Sequence, residues 1–374
     1  NSYESFLFFR LLIGAIGASF VITQYHTSVM FAPNVVGTAN AAAAGWGNAG
    51  GGATQALMPL LLAALLAFAV PARAERIYVS NEKDNTITAL DGATLRVLRT
   101  VPVGERPRGI VLSRDKRHLY VCAGDSDRVD VLDLETWRVV RHLPSGSDPE
   151  LAALHPDGRR LFVANEDDNM VTVVDVERGV VLREIPVGVE PEGMGISPDG
   201  RFVVNTSETT NMAHVIDTDS GAVVANVLVG ARPRAAVWDA DGKRFWVSAE
   251  IGGTLTLVEA GTWRAVGEVK FSVPGVPPEA IQPVGMALSA DGARLFVALG
   301  PANRVAVVDT RGLAVERYLL VGQRVWNLAL STDGSRLYTT NGVSNDLSVI
   351  DTAAMRAVRS VPVGQAPWGV VVRP

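Results

Sequence analysis

Residues Leu161–Arg201 read LFVANEDDNMVTVVDVERGVVLREIPVGVEPEGMGISPDGR. An apolar run, Leu161 to Ala164, meets an acidic, Asn-bearing loop. A second run alternates through Val171, Val173 and Val174 and stops at Asp175. A third, Val180 to Val187, ends at Gly188. A Pro/Gly segment leads to Met194-Gly195-Ile196 and then to Ser197-Pro198-Asp199-Gly200. Short β-branched runs punctuated by turn residues are strands. Four of them with tight turns in about forty residues make one blade of a propeller.

The chain repeats this unit. The large residue of the first run recurs at Tyr78, Tyr120, Phe162, Val203, Trp246, Phe296 and Tyr338, with one longer interval before Phe296. The end of the second run recurs as an acid: Asp91, Asp133, Asp175, Asp217, Glu259, Asp309 and Asp351. A carboxylate there accepts backbone N–H groups just ahead of it and holds a turn. The expected fold is all-β, a seven-bladed β-propeller over residues 75–374. The last apolar run, Gly369 to Val372, matches the fourth run of the other repeats, while the first repeat begins at its own first run, Arg76 to Val79. The C-terminal strand is therefore expected to become the innermost strand of the N-terminal blade, because an unclosed ring would expose sheet edges and a blade face. Fourth runs are rich in Gly and Ala (Gly109, Ala152, Gly193, Gly285, Gly369), as strands crowded around an axis require.

The net charge of −5 argues against a nucleic-acid surface. The lone cysteine, Cys122, excludes an intrachain disulfide and reads as a small buried hydrophobe within Leu119-Tyr120-Val121-Cys122. Ahead of the repeats, residues 1–57 read as an extension, either a misassigned upstream stretch or a flexible lead. Residues 58–74 resemble a secretory signal, an apolar core followed by Ala72-Arg73-Ala74, although no basic residue lies just before it. The expectation is export to the periplasm with a mature start at Glu75. An anchor formed by Phe6 to Ile22, interrupted by Arg10, is the weaker reading.

One face of a propeller carries the segments that cross between blades and the loops between the second and third strands. The crossing segments here put Arg108, Glu150, Glu192, Arg234, Val284, Trp326 and Trp368 at equivalent places around the mouth of the axis. Scaffold needs explain the neighbouring Pro and Gly, but not a different charged or aromatic residue in each blade. With Glu208, Glu250 and Arg324 from the same face, these residues suggest a polarised pocket for a ligand or side chain of mixed charge. The competing reading is a solvated rim of weak ion pairs, each worth about 0–1 kcal/mol. Exposed tryptophan favours the pocket. The insertion Phe271 to Gln282 is expected to rise from that face, as recognition loop or as Pro-rich elbow.

Catalytic patterns are sparse. His214 lies inside a strand pattern and reads as a satisfied core histidine. No Cys/His metal spacing, P-loop, nucleophile elbow or haem-attachment motif occurs. The loops Asn81 to Asn85 and Asn165 to Asn169 are weak Ca²⁺ candidates without a spaced ligand loop. No cofactor and no metal is expected.

YVSN, ALD, VPVGERPRG and ISPDG resemble the YVTN-type β-propeller repeat over Arg76 to Pro374. SNEKDNT, LPSGSDPEL, ANEDDN, NTSETTNMAHVID, SAEIGGT, ALGPANRVAVVD, VGQRVWNLAL and TTNGVSNDLSVID further resemble the PQQ-dependent catabolism-associated β-propeller proteins. That resemblance implies a periplasmic protein serving quinoprotein alcohol oxidation and its transport system. It does not imply that the chain itself binds PQQ. The expected role is a non-enzymatic binding protein or scaffold. Its partners would be a quinoprotein dehydrogenase, a cytochrome or a transporter component, or a small molecule at the axis mouth. The alternative is a lactonase-like propeller hydrolase, with Glu150, Glu192 and Glu208 as the available carboxylates.

Overall fold

The computed structural model describes residues 75–374. The expected extension (1–57), signal sequence (58–74) and Phe6–Ile22 anchor lie outside the described residues. Among the described residues there are seven four-stranded antiparallel sheets. The innermost strands of blades 2 to 7 are Pro107–Leu112, Pro149–Leu154, Pro191–Ile196, Pro233–Trp238, Met286–Leu288 and Val325–Leu330. Blade 1 takes its innermost strand, Pro367–Arg373, from the C-terminal end, and its other three are Arg76–Asn81, Thr86–Asp91 and Val97–Pro102. The closing register pairs Ile77 with Val372 and Val79 with Val370. No helix among the described residues is long and apolar enough to cross a membrane.

The core is seven slabs rather than one centre. Each adjacent pair of blades encloses its own apolar cluster, and the slab between blades 7 and 1 (Tyr338, Leu347 and Val349 against Ile77, Val79 and Val370) is built like the others. The large residue of each second strand faces such a slab because alternate residues of a strand share one side. Pairing places Val204, not Val203, in the register of this position: Val204 faces Val215 as Phe162 faces Val173. Cys122 is buried in the slab between blades 2 and 3, where desolvation raises its thiol pKa.

The repeated acids hold turns as expected. Asp91 Oδ1 accepts the N–H of Ala93 at 3.1 Å and of Thr94 at 2.7 Å, and Asp351 Oδ1 does the same for Ala353 and Ala354 at 2.9 and 2.8 Å. These bonds hold the Asp91 carboxyl below its ordinary pKa. Glu259 departs from the pattern. It is exposed, and its carboxylate accepts from the Thr262 hydroxyl at 2.8 Å.

A second repeated device fixes the mouth. The last residue of each loop between the second and third strands is left-handed: Asn85, Asp127, Asn169, Asn211, Gly253, Asn303 and Asn345, with φ of 51–62°. Asn is among the few residues that adopt this conformation readily. In six blades its side-chain oxygen accepts the N–H of a residue 21 positions on, at 2.8–3.0 Å: Arg106, Asp148, Glu190, Arg232, Arg324 and Ala366. Those residues are themselves left-handed, with φ of 50–57°. The seventh place is Gly253, which has no side chain to clamp with, and that is where the insertion enters.

Candidate functional site

Three rings of residues follow from this register. Left-handed crossing residues form the outer one: Arg106, Asp148, Glu190, Arg232, Arg324 and Ala366, with Gln282 at the insertion. Two residues further on, the second position of each crossing lines the axis: Arg108, Glu150, Glu192, Arg234, Val284, Trp326 and Trp368. The third ring opens the loop after the second strand and includes Glu82, Glu166, Glu208 and Glu250. Strand hydroxyls hold the backbone of the axial ring. Ser80 donates to the Arg108 carbonyl at 2.7 Å, Ser248 to that of Val284 at 2.6 Å and Thr340 to that of Trp368 at 2.6 Å. Glycine follows the axial residue where blades touch: a Cβ on Gly369 would lie 2.5 Å from the Arg108 carbonyl oxygen, and one on Gly193 2.5 Å from that of Arg234.

The sequence-predicted residues converge, but mostly in a buried ion-pair network and not on a solvated rim. Glu150, Glu192, Glu208, Glu250 and Arg234 are all buried, while Arg108, Arg324 and Trp326 are half-buried. On the blade 2–3 side, Glu150 Oε1 accepts from Arg108 Nη1 at 2.7 Å and Arg106 Nη1 at 3.1 Å. Arg106 also binds Asp125 at 2.6 Å and Asp148, and Arg108 reaches Glu82 at 3.3 Å. On the blade 4–5 side, Arg234 is enclosed by Glu192 at 2.9 Å, Glu208, and Glu250 at 3.6 Å. Arg232 pairs with Glu208 at 2.7 Å and Glu250 at 3.1 Å, and Arg324 reaches Glu250 at 3.3 Å. Burial pulls the Arg234 pKa down, and the surrounding carboxylates more than restore it. Burial pushes Glu192 and Glu208 upward against the same arginine.

Trp368 corrects the expectation of an exposed indole. It is 3% exposed and sits below the mouth, with its ring centroid 6.5 Å from that of Trp326. Arginines flank both rings: Arg108 lies 5.9 Å from Trp368, and Arg324 lies 4.3 Å from Trp326. The charged ring needed an apolar floor, and the tryptophans provide it.

Above this floor lies a cavity of about 510 Å³ walled by Arg106, Arg108, Asp148, Glu166, Arg232, Arg234, Glu250, Ile251, Gln282, Arg324 and Trp326. Below it, an axial void of about 10 Å³ touches Glu192, Trp326 and Trp368. That is room for one water. Glu192 Oε2 and Trp368 Nε1 have no hydrogen-bond partner among the described residues. A larger depression of about 730 Å³ opens at the other end between blades 2 and 3, but its polar walls are turn residues already committed, such as Asp115 to Ser113 and Arg117.

Several residues of the cavity were not among the sequence-predicted site: Arg106, Asp148, Glu166, Arg232 and Gln282. Glu166 is perturbed by its surroundings. Burial first, then the adjoining Glu150 carboxylate, pushes its pKa up to about 7. Oxygens of Asp148, Glu150 and Glu166 all lie within 4.8 Å of one another, a hard-cation donor set. Two guanidiniums already bonded to Asp148 and Glu150 oppose such an ion. The acidic loops once considered for Ca²⁺ are committed elsewhere: Asp84 accepts the Gln365 N–H at 2.7 Å and Asp168 that of Ser147 at 2.6 Å. His214 is structural, as expected. Its Nε2 accepts the Gly188 N–H at 3.0 Å, Nδ1 faces Asn226 Oδ1 at 2.6 Å, and burial lowers its pKa.

No family model matches the chain. A short stretch is similar to plant nitrate transporters. It is 43% identical over 77 residues to the high affinity nitrate transporter 2.7 of Arabidopsis thaliana, covering 21% of this chain and 16% of that protein. It is 54% identical over 56 residues to transporter 2.5 of the same plant, covering 15% and 11%. The chain thus spans about a sixth or less of the length of these curated relatives. Among solved structures, the chain is similar to Kuenenia stuttgartiensis hydrazine synthase, with TM-score 0.69 and 26% identity over 74% of this chain and 92% of that one. A functionally unknown protein from Desulfotomaculum acetoxidans DSM 771 gives TM-score 0.70 at 17% identity, over 80% and 98%. Dihydro-heme d1 dehydrogenase NirN in complex with DHE gives 0.59 at 17%, over 79% and 74%. The last two are likenesses of fold alone.

Proposed function

We propose that this propeller is a periplasmic, non-enzymatic binding protein that serves PQQ-dependent alcohol oxidation and its transport system, through the charged mouth of its axis. The observation that carries the binding role is the axial ring. Seven equivalent backbone positions hold Arg108, Glu150, Glu192, Arg234, Val284, Trp326 and Trp368, so a near-symmetric scaffold carries an asymmetric and mostly buried set of charges and indoles beneath its mouth. Buried charge of this kind is costly for stability alone, which favours retention for recognition. Exposed apolar residues stand on the same face: Ile251 is 69% exposed, Val343 61% and Val189 44%. They would supply the apolar part of a docking surface around the charged centre. The oxidation context rests on the PQQ-associated motifs.

The test is docking of a quinoprotein alcohol dehydrogenase on the mouth. Hydrogen exchange on the full chain should slow in the loops holding Val189, Ile251 and Val343 when the dehydrogenase is added, and Ile251→Glu with Val343→Glu should abolish the slowing. Unchanged exchange would reject the role. Export is tested separately: amino-terminal sequencing of the protein from periplasm should begin at Glu75.

One observation favours the hydrolase alternative. Glu166, with a pKa near 7 at a cavity wall, has the poise of a general base. Lactone hydrolysis lost in Glu166→Gln would support that reading over the binding role.

A further inference from the structure

The cavity has two unlike walls. One wall holds Asp148 and Glu166 beside Arg106 and Arg108, with Glu150 buried behind them and bonded to both arginines. Opposing it chemically are Arg232, Arg234 and Arg324, and all three guanidiniums draw on one carboxylate, Glu250. Arg234 has Glu192 and Glu208 besides, and Arg232 has Glu208. Among the described residues Arg324 has no second carboxylate. Its other partner is the neutral amide of Gln282, whose Oε1 accepts from Nη1 at 3.0 Å. Gln282 ends the insertion, so the inserted loop orients Arg324 without cancelling its charge.

The shared compensation shows in the titration. Burial lowers the Arg324 pKa, Glu250 only partly opposes this, and the neighbouring Arg234 and Arg232 lower it further. Arg324 Nε and Arg232 Nη1 hold no hydrogen bond to a described residue, and both side chains line the cavity. The guanidinium carbons of Arg324 and Arg234 lie 4.3 and 5.8 Å from the Trp326 ring centroid, and Ile251 stands at the same cavity. Two cationic donors beside an aromatic and an aliphatic surface suit a planar anion.

From this arrangement we infer that Arg232 and Arg324 form a carboxylate subsite, and that its ligand is a small carboxylic acid whose flat apolar body packs on Ile251, beside the edge of Trp326. This rests on the mouth being a binding site, and it names the class of ligand. The cavity volume suits a molecule of that size. A cation held by Asp148, Glu150 and Glu166 is the competing occupant.

Three probes of one shape and different charge decide between them: benzoate, benzyl alcohol and benzylamine, titrated calorimetrically into the full chain at pH 6. Benzoate should bind with a Kd of about 1 mM or tighter, and the other two at least tenfold more weakly. Arg324→Gln should weaken benzoate at least tenfold. Ile251→Asp, an exposed change that adds a repelling charge and removes no buried partner, should do the same if Arg324→Gln fails to fold. Arg114→Gln, at the opposite end of the propeller, should leave affinity unchanged. Benzylamine binding as tightly as benzoate would overturn the assignment. So would benzoate binding that ignores both mouth variants, or no benzoate heat at about 10 mM. Each of these outcomes leaves dehydrogenase docking, read by hydrogen exchange, standing or falling by itself.

Discussion

At the scale of the residue, Glu166 is the group whose state controls the site. It faces Asp148, Glu150 and Arg108, feels Glu208, and shares the cavity with Arg106, Arg232, Arg234, Glu250 and Arg324. Its pKa rises from an ordinary 4.5 to about 7 on folding. Between those values the folded chain holds a proton that the unfolded chain releases, so Glu166 lowers stability as pH rises through this window, and the loss is complete above it. Glu166→Gln, which cannot ionise, is expected to raise the melting midpoint relative to the parent at pH 8 and to leave it unchanged at pH 4, as followed by circular dichroism. The same ionisation puts negative charge beside the proposed carboxylate subsite, so benzoate affinity should fall between pH 6 and 8 and lose that dependence in Glu166→Gln. A ligand cation would show the opposite trend. The sequence offered Glu166 only as one acid of the loop Asn165 to Asn169. Its neutral tendency comes from burial beside Glu150, to which it is joined only by the fold. Arg108, Glu150, Glu192 and Arg234 were legible as a ring because they share a register. Their pairing was not, since Arg234 reaches Glu192 and Glu208 in the neighbouring blade.

At the scale of the element, the mouth is positioned by clamps that are visible in the sequence only as an Asn at the end of an acidic loop. Asn303 binds the Arg324 N–H at 2.8 Å and is itself left-handed at φ 56°. Asn303→Ala removes the acceptor and places a Cβ residue where Asn is tolerated better. The expected cost is about 1–3 kcal/mol of stability, read from the denaturant midpoint, with a greater proportional loss of benzoate affinity because Arg324 is no longer held. Asn303→Gly keeps the backbone conformation and should separate the two effects. The insertion shows the same logic from the other side. Phe271, Val273 and Ile281 pack into the slab between blades 5 and 6, so the elbow reading was right for its body. Its last residue, Gln282, meets Arg324 where the insertion rejoins the blade.

At the scale of the whole molecule, closure is the stabilising event. The strand Pro367–Arg373 brings Trp368 to the axial floor and Val370 to the slab between blades 7 and 1. Each large apolar side chain buried in this way is worth about 1.5–3 kcal/mol. Deleting Pro367–Pro374 should therefore abolish the cooperative thermal transition or drop its midpoint steeply in calorimetry, and Gly369→Val should weaken it through the contact with the Arg108 carbonyl. A fully cooperative transition in the deletion would contradict the sealed ring. By itself the sequence determined the number of blades, the sealing strand, the turn acids and which residues share the axial ring, because all of these are consequences of a local pattern repeated at nearly constant spacing. Only the tertiary structure decided which charges pair, that Trp368 is covered, that Glu166 is driven toward neutrality and that Arg324 is left short of a carboxylate. Those properties depend on distances between different strands and blades and on exclusion of water, and neither is written in the order of residues along one strand.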